Sequence, residues 1–525
     1  MNYLYLGDCY DVLKHNIQDE SVDLIYIDPP FNSQRDYNMF FDDDEIKTQR
    51  VAFEDTWTLK NIQYELEELN NLQTEKLYHL LMTYSDVAPH AFPYLTMMGL
   101  RIIELHRVLS DTGTFFLHCD TTMSHYLKTI CDLIFGIDNF RNEISWKRSQ
   151  PKSHTTINFP NCRDLILRYS KSKKSKFHKV YGEYNQDYID KFYKYKDEDG
   201  RRYSLDNLVN PNKDRPNLTY EFLGVNRVWR WTKERMDRAY KDGRVIQQKK
   251  GGVPRYKRYL DEMPGQPITD NWDDIEHLHG TMKENLGYPT QKPKELLERI
   301  IKSSTDEGDV VLDGFCGCGT TIDASEGLNR KWIGIDVSPI AISLMKRRLK
   351  NTYEDDVSKY DVRGIPTTEK SAIQLWKQNP FAFQDWWVME YDVMSMTEGK
   401  KGADKGLDGI GMYDIGDGKT IKVGFQVKGG KSVQSKDIDA LMGSMKKFDC
   451  ELGVFLSIAS PTKPMLETIT NEGFVELETT KQKFPRLQIQ TLHQFFSNER
   501  VKLPSENITF KKAGYKSKSK QTSLL

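Results

Sequence analysis

The eight residues Leu24-Ile25-Tyr26-Ile27-Asp28-Pro29-Pro30-Phe31 leave the chain few choices of fold. An apolar run into an acid, two prolines and a ring reads as a buried parallel strand. It stops at its carboxyl end because proline has no N–H to give to a ladder. The strand delivers one carboxylate, one rigid carbonyl and one ring to the rim of a sheet, where open α/β sheets bind their ligands.

Such a tip suits methylation of an exocyclic amine on a nucleobase. The amine lone pair is conjugated into the ring, so the nitrogen is a poor nucleophile until acceptors hold its hydrogens. Asp28 and the carbonyl of Pro29 can be those acceptors, and Phe31 can stack on a base rotated out of its duplex. Cytosine C5 chemistry would want a Pro-Cys nucleophile, and the tip has Pro-Pro.

The 525 residues are enough for about three domains. With 38% hydrophobic residues, no apolar run long enough for a bilayer and no secretory leader, the chain is expected to be soluble and cytoplasmic. Seven cysteines without metal-ligand pairing fit a reducing compartment. The net charge of -1 gives no global polyanion signal, so any nucleic-acid surface is local.

Tyr3-Leu4-Tyr5-Leu6 reads as a strand ending at Gly7-Asp8, then a helix with Val12, Leu13 and Ile17 on one face. Asp8 is either a helix N-cap or an acceptor for an adenine amino group. Polar sequence from Asn32 to about residue 85 reads as a mobile flap or a solvated insertion. Leu95, Met98, Ile102, Leu105 and Leu109 mark an amphipathic helix, stopped by Asp111-Thr112-Gly113, and Thr114 to His118 form the next buried strand.

From Ser145 to about Gly265 the texture becomes basic, with Lys147, Arg148, Lys152, Arg163, Arg168, Lys171, Lys173, Lys174 and Lys176, then Lys249, Lys250, Arg255, Lys257 and Arg258. Trp146, Phe159, Tyr169, Trp229, Trp231, Tyr256 and Tyr259 are interleaved, a combination suited to phosphate contact and base stacking. Next comes Tyr288-Pro289-Thr290-Gln291-Lys292-Pro293, a helix from Lys294 to Ser303, and the strand and turn Val310 to Thr321. Gly317 and Gly319 let backbone approach a ligand, and Asp336, closing the following strand, is placed for ribose hydroxyls. A dinucleotide would fit nearly as well, but G-x-G-x-x-G is absent and the loop starts Asp-Gly-Phe, as a site for S-adenosylmethionine does. Cys316 and Cys318 read as packing residues.

The Asp-Pro-Pro-Phe tip, the Pro-Thr-Gln-Lys-Pro element and the late Phe-x-Gly-x-Gly turn, in that order over residues 1 to 350, resemble the beta-class amino-methyltransferases of DNA, with the motif order of type III Mod subunits. The resemblance implies a catalytic tip at Asp28, Pro29, Pro30 and Phe31. It puts Asp313, Phe315, Gly317, Gly319, Thr320 and Asp336 on the cofactor, Asp8 on its adenine, and Thr290, Gln291, Lys292 and Pro293 on its methionine side. Aspartate at the tip leans toward adenine N6, where cytosine N4 enzymes more often carry serine. Gly314 and Cys318 depart from the family's usual proline and serine.

The helix through Ile340, Leu344, Arg347 and Leu349 closes this part, and Asn351 to Lys370 reads as a linker. Phe381, Phe383, Trp386, Trp387 and Met389 suggest a buried helix, followed by Gly402 to Ile410, a hairpin turning at Gly416-Asp417-Gly418, and the strand Val423 to Lys428. Asp408, Gln426 and Lys428 can meet on one side of that hairpin, since residues two apart share a face. Asp408 would bind a divalent cation, with Gln426 or its neighbouring carbonyl a weaker ligand, and Lys428 would orient water or steady developing charge. Gly-x-Asp-Gly followed by Gln-x-Lys resembles the Mrr-like branch of the PD-(D/E)XK nucleases over about residues 380 to 500. Ser460 to Met465 and Pro485 to Phe496 look like extensions of such proteins, and Gln426 leaves one charge fewer at the metal than an acid would. Lysines after Phe510 read as a disordered basic tail.

The expected architecture is α/β. A Rossmann-like doubly wound sheet has its catalytic half in 1–145 and its cofactor half in 266–350, with a target-recognition region at 146–265 between them. A linker at 351–377, a smaller α/β nuclease-like domain at 378–500 and a tail at 501–525 follow. The expected function is site-specific adenine-N6 methylation of double-stranded DNA with S-adenosylmethionine, joined to an endonuclease using a divalent metal, Mg2+ in first place, in restriction-modification. The alternatives are an N4-cytosine enzyme with a catalytically silent C-terminal module, or methylation of RNA or a free nucleotide. Homodimerisation is left open.

Overall fold

The computed structural model describes residues 1–31, 37–40, 49–53, 62–71, 74–151, 157–279, 282, 284–286, 288, 290–396, 406–416, 419–430, 432–477, 479, 481–504 and 506–507. The chain forms two compact units, one of Met1–His178 with Asp270–Leu525 and one of Lys179–Thr269.

The first unit holds a nine-stranded sheet. In chain order its strands are β1 (Asn2–Leu6), β2 (Val22–Ile27), β3 (Leu109–Cys119), β4 (Phe140–Lys147), β5 (Arg163–Ser170), β6 (Asn271–Trp272), β7 (Val310–Asp313), β8 (Lys331–Asp336) and β9 (Tyr360–Arg363). Across the sheet they run β6-β4-β5-β3-β2-β7-β8-β1-β9. All neighbouring pairs are parallel except those made by β5, which is antiparallel to β3 and β4. The early and late halves of the sequence meet at β2 and β7, with Val311 opposite Leu24 and Leu312 opposite Ile25. Asp28 and the loop after Asp313 therefore leave adjacent strands at the same rim.

Burial on both faces explains the apolar strands. Leu4 and Trp332 belong to one core cluster, Tyr5 and Ile335 to the other, as side-chain alternation requires. Helices α1 (Cys9–Asn16), α2 (Phe92–Val108), α3 (Ser124–Phe135), α4 (Lys294–Ser304), α5 (Thr320–Gly327) and α6 (Pro339–Tyr353) flank the sheet. Helix α2 is buried on most of its surface rather than on one stripe. The helices Gln63–Asn71 and Glu75–Val87 place Leu69, Leu77 and Leu81 in the same core, so this stretch is not a flap. Residues 32–36, 41–48 and 54–61 of the expected flap lie outside the described residues. Asp111-Thr112-Gly113 does not end a helix at a turn. It falls within β3, where the register slips between the pairs Val22–Leu109 and Leu24–Thr114.

Two boundaries differ from expectation. The inserted unit starts at Lys179, not at residue 146. Arg163 and Arg168 sit in strand β5, and Arg168 is buried over the rings of Phe116 and Phe177. Lys174 pairs with Asp111 at 2.7 Å and Lys176 with Asp309 at 2.6 Å. Residues 146–178 of the expected recognition stretch thus belong to the sheet-bearing unit. The unit Lys179–Thr269 has a four-stranded sheet of its own around Leu208, Phe222, Trp229, Met236 and Val245. The expected linker contains β9, which pairs with β1, and α7 (Glu369–Gln378), whose Ala372 enters the core of the C-terminal module.

That module packs α7 and α8 (Pro380–Met389) on a mixed sheet. Its strands β10 (Met394–Ser395), β11 (Gly409–Gly416), β12 (Lys419–Lys428), β13 (Leu452–Ser457) and β14 (Leu487–Thr491) lie side by side in that order. The β11–β12 hairpin is antiparallel, and β13 and β14 add in parallel. Its turn residues Asp417 and Gly418, and residues 508–525, lie outside the described residues. Pro485 to Phe496 is not an appendage, because it supplies strand β14 and a capped helix to the core.

Candidate functional site

Asp28 follows the last residue of β2, and the prolines carry the chain off the sheet edge. Its Oδ2 pairs with the ammonium of Lys292, whose sequence neighbours had suggested a place on the cofactor side. The pair is largely buried, with side chains 15% and 9% exposed. Asp28 Oδ1 is buried with no hydrogen-bond partner among the described residues. The Lys292 ammonium also lies 5.5 Å from the centre of the Phe31 ring. Gln291 clamps its own loop, donating to Glu284 O at 2.6 Å and accepting from Leu286 N at 2.9 Å. Thr290 has φ of 64°, a left-handed value uncommon outside glycine. Pro293 caps α4, and Pro289 lies outside the described residues.

Across the β2–β7 seam, Asp313 is buried to 2% exposure and turns both oxygens inward. Oδ1 accepts from Phe315 N at 2.9 Å and Oδ2 from Thr321 Oγ1 at 2.5 Å. Asp313 therefore shapes the loop instead of facing a ligand. Asp336 accepts from Gly317 N and Ser338 N, each at 2.8 Å. Burial, above all, pushes Asp313 up to about 7 and Asp336 up to about 6. The negative charges of Asp28 and Asp336 add to the first shift, so the rim is an acidic pocket that a cation would relieve.

Gly317 has φ of 52°, and a Cβ there would lie 3.0 Å from Tyr288 Cε1. Glycine is needed at that point on both counts. Gly319, with φ of 76°, caps α5. Thr320 is turned inward and accepts from Arg348 Nη1 at 3.0 Å, while its neighbour Thr321 holds Asp313. The resemblance had put Thr320 on the cofactor, and the loop acid Asp313 is held by Thr321. Cys316 and Cys318 are buried packing residues, as expected. Asp8 is the N-cap of α1, accepting from Tyr10 N at 2.8 Å, and pairs with Arg101 at 2.5 Å.

Beneath the tip lies a set of residues to which sequence patterns gave no role. His118, fully buried at the end of β3, stands between Tyr26 Oη at 2.9 Å and Asp164 at 3.2 Å. Only folding brings together residues from three strands, so no local signal could have found them.

In the C-terminal module Asp408 precedes β11, and its Oδ2 accepts from Val427 N at 2.6 Å. That bond draws the carboxylate to the strand carrying Gln426 and Lys428, as the hairpin geometry suggested. Gln426 Oε1 is buried without a hydrogen-bond partner among the described residues. Lys428 lies 3.3 Å from Asp437, a residue of α9 (Ser435–Lys447) that the sequence reading did not include. Trp376 packs over Gly429, which leaves no room for a side chain there. A carboxylate and an orphaned amide oxygen are hard donors suited to a divalent cation. Among the described residues no group of three or more His, Cys, Asp or Glu could hold a metal.

The nine-stranded sheet and its acidic rim define a Rossmann-like α/β transferase core, and the second sheet defines a nuclease-like module. The chain belongs to the DNA methylase family, whose pattern matches residues 22–347, and a restriction endonuclease family matches residues 381–482. It is similar to the type II methyltransferase M.EcaI of Enterobacter cloacae, 33% identical over 269 residues, covering 50% of this chain and 59% of that one. It is also similar to the StyLTI Mod subunit, a type III restriction-modification enzyme of Salmonella typhimurium, 28% identical over 451 residues, covering 81% and 64%. Among solved structures, the cytosine-N4-specific PvuII DNA methyltransferase aligns over 66% of this chain and 86% of its own, with 13% identity and a TM-score of 0.34. The chain thus spans less than two thirds of the length of these curated relatives.

Proposed function

We propose that the first unit transfers a methyl group from S-adenosylmethionine to adenine N6 at a specific sequence in duplex DNA, and that the C-terminal module cuts DNA with a divalent cation. The two activities together make a restriction-modification protein. The observation that carries the transferase reading is the buried, unpartnered Oδ1 of Asp28 beside an acidic glycine-rich loop.

S-adenosylmethionine, when bound, supplies an electrophilic methyl on a sulfonium cation. The backbone of Gly317 and Gly319 would give it close approach, Asp336 would hold its ribose hydroxyls, and Asp313 with Thr321 keeps the loop in shape. The acids of the rim complement the positive sulfur. On the substrate side, Asp28 Oδ1 and the Pro29 carbonyl accept the amine hydrogens, which localises the nitrogen lone pair for attack. The nitrogen must shed one proton as the N–C bond forms, and Asp28 is the group placed to take it. Lys292 holds the other oxygen of that carboxylate, and Phe31 offers its ring to the extruded base. Sequence choice is assigned to Lys179–Thr269, where Lys249 and Lys250 are exposed cations.

For cleavage, Asp408 and the Gln426 amide oxygen would hold the cation, and Lys428 would orient the attacking water. Incubation with labelled cofactor and duplex DNA, followed by nucleoside chromatography and modification-sensitive sequencing, tests the transferase reading. N6-methyladenine at one repeated site is expected. N4-methylcytosine would overturn the base assignment, and label on RNA alone would overturn the substrate class.

A further inference from the structure

We propose that His118 is a positioning residue for the flipped base: it fixes the plane of the Phe31 ring on which that base stacks. The proposal rests on the transferase reading above and adds a role for a buried side chain outside the tip itself.

Phe31 follows two prolines, so its backbone is stiff, but its ring still needs support to present one face to a base. Its ring stacks on His118, with centroids 6.0 Å apart and planes 27° from parallel. The His118 ring is in turn held at both nitrogens. Nδ1 faces Tyr26 Oη at 2.9 Å and Nε2 faces Asp164 Oδ2 at 3.2 Å. Trp146 meets the same ring edge-on at 5.8 Å and 84°. These partners come from β2, β5 and β4, while His118 ends β3, so four strands pin one imidazole. Arg148 completes the set with Nε 3.0 Å from the second oxygen of Asp164.

The protonation pattern follows from the partners. Burial alone would raise Asp164, but the hydrogen bond from His118, with the cations Lys292 and Arg148, brings it below the ordinary value, so it is an acceptor. Burial raises Tyr26 well above the usual phenol range, so it keeps its O–H. Nε2 then donates to Asp164, and Nδ1 accepts from Tyr26. An imidazole bonded in this way cannot rotate without breaking two buried hydrogen bonds. Lys292 acts on both ends of the assembly, pairing with Asp28 and adding its charge to the field at Asp164.

A duplex with 2-aminopurine at the mapped target position reports extrusion as a rise in fluorescence, measured alongside steady-state methylation and cofactor affinity. For His118→Asn the expected result is a loss of about 100-fold in kcat/KM for DNA, the effect of a misplacement on the order of 1 Å. The fluorescence rise should be reduced, while affinity for S-adenosylmethionine stays within about 2-fold. Tyr26→Phe removes one hydrogen bond at nearly constant volume, so it guards against misfolding. It should show the same DNA-side defect at about 3- to 10-fold. Wild-type fluorescence and kcat/KM in both variants would overturn the proposal, as would an equal fall in cofactor affinity, which marks a merely structural role. Absence of any signal from the wild-type protein would instead sink the base-extrusion reading beneath it.

Discussion

Replacing Lys292 by methionine separates two roles for that residue, because its sequence context points to the cofactor and its ammonium lies on Asp28. Methionine keeps the length and the apolar stem and deletes the charge. At an effective dielectric of about 20, opposite charges roughly 4 Å apart attract by about 4 kcal/mol. Both side chains keep some contact with water, at 9% and 15% exposure, which screens part of that attraction. A loss of about 2–3 kcal/mol at the transition state is then expected, or roughly 30- to 150-fold in the methyl-transfer rate. The other carboxylate oxygen has no partner to hold it, so the Asp28 side chain is free to rotate once the lysine is gone. Single-turnover transfer with saturating cofactor and DNA reads this rate, and calorimetry reads cofactor affinity separately. Lys292→Arg should recover part of the rate, since it restores charge with altered geometry. Normal transfer with cofactor affinity weakened 10-fold or more would refute the positioning role and return Lys292 to the methionine side of the cofactor.

Asp28→Ala should abolish transfer and leave cofactor binding within a few-fold, since the proposed cofactor groups lie in the loop after β7 and at the end of β8; weakened binding with normal turnover in the same two assays would count against it. Gly317→Ala should lower cofactor affinity by roughly 10-fold, because a positive φ and a Cβ 3.0 Å from Tyr288 both oppose it, and calorimetry that finds no change would show the loop is not the cofactor cradle. Lys428→Ala should remove DNA cleavage and spare methylation, and persistent nicking of plasmid would reassign the lysine to its ion pair with Asp437. Asp313 and Asp336 keep their protons up to about 7 and about 6 in the folded chain, whereas an unfolded chain releases them near 3.8. The unfolded state thus binds fewer protons in that window, so these groups make stability fall as pH rises through it. Denaturant titrations of Asp313→Asn should show the upper part of that slope removed, and an unchanged slope would contradict the shift.

Local chemistry made much of the site legible before any folding was considered. Two prolines after Asp28 can only end a strand, and Gly317 and Gly319 mark backbone that side chains would obstruct. The spacing of Asp408, Gln426 and Lys428 placed them together on one hairpin because alternation in a strand has a fixed period. Composition misled where charge was read without its partner. Arg168, Lys174 and Lys176 look like a phosphate-binding run, yet their rings and carboxylates come from Phe116, Asp111 and Asp309, far off in sequence. The stretch Asn351 to Lys370 looked like a linker because an edge strand of four residues is too short for its period to show.

Strand stops, turns and caps were legible in the sequence alone, since they depend on residues within a few positions of each other. Tertiary structure decided which ends are neighbours. It set β1 between β8 and β9 in place of its sequence successor, and joined β2 to β7. It also laid Lys292 on a carboxylate 264 residues away and closed Tyr26, His118 and Asp164 under Phe31. Strand order and burial of both sheet faces are properties of the whole sheet, settled by which apolar surfaces can be covered at once, and no window of sequence contains them.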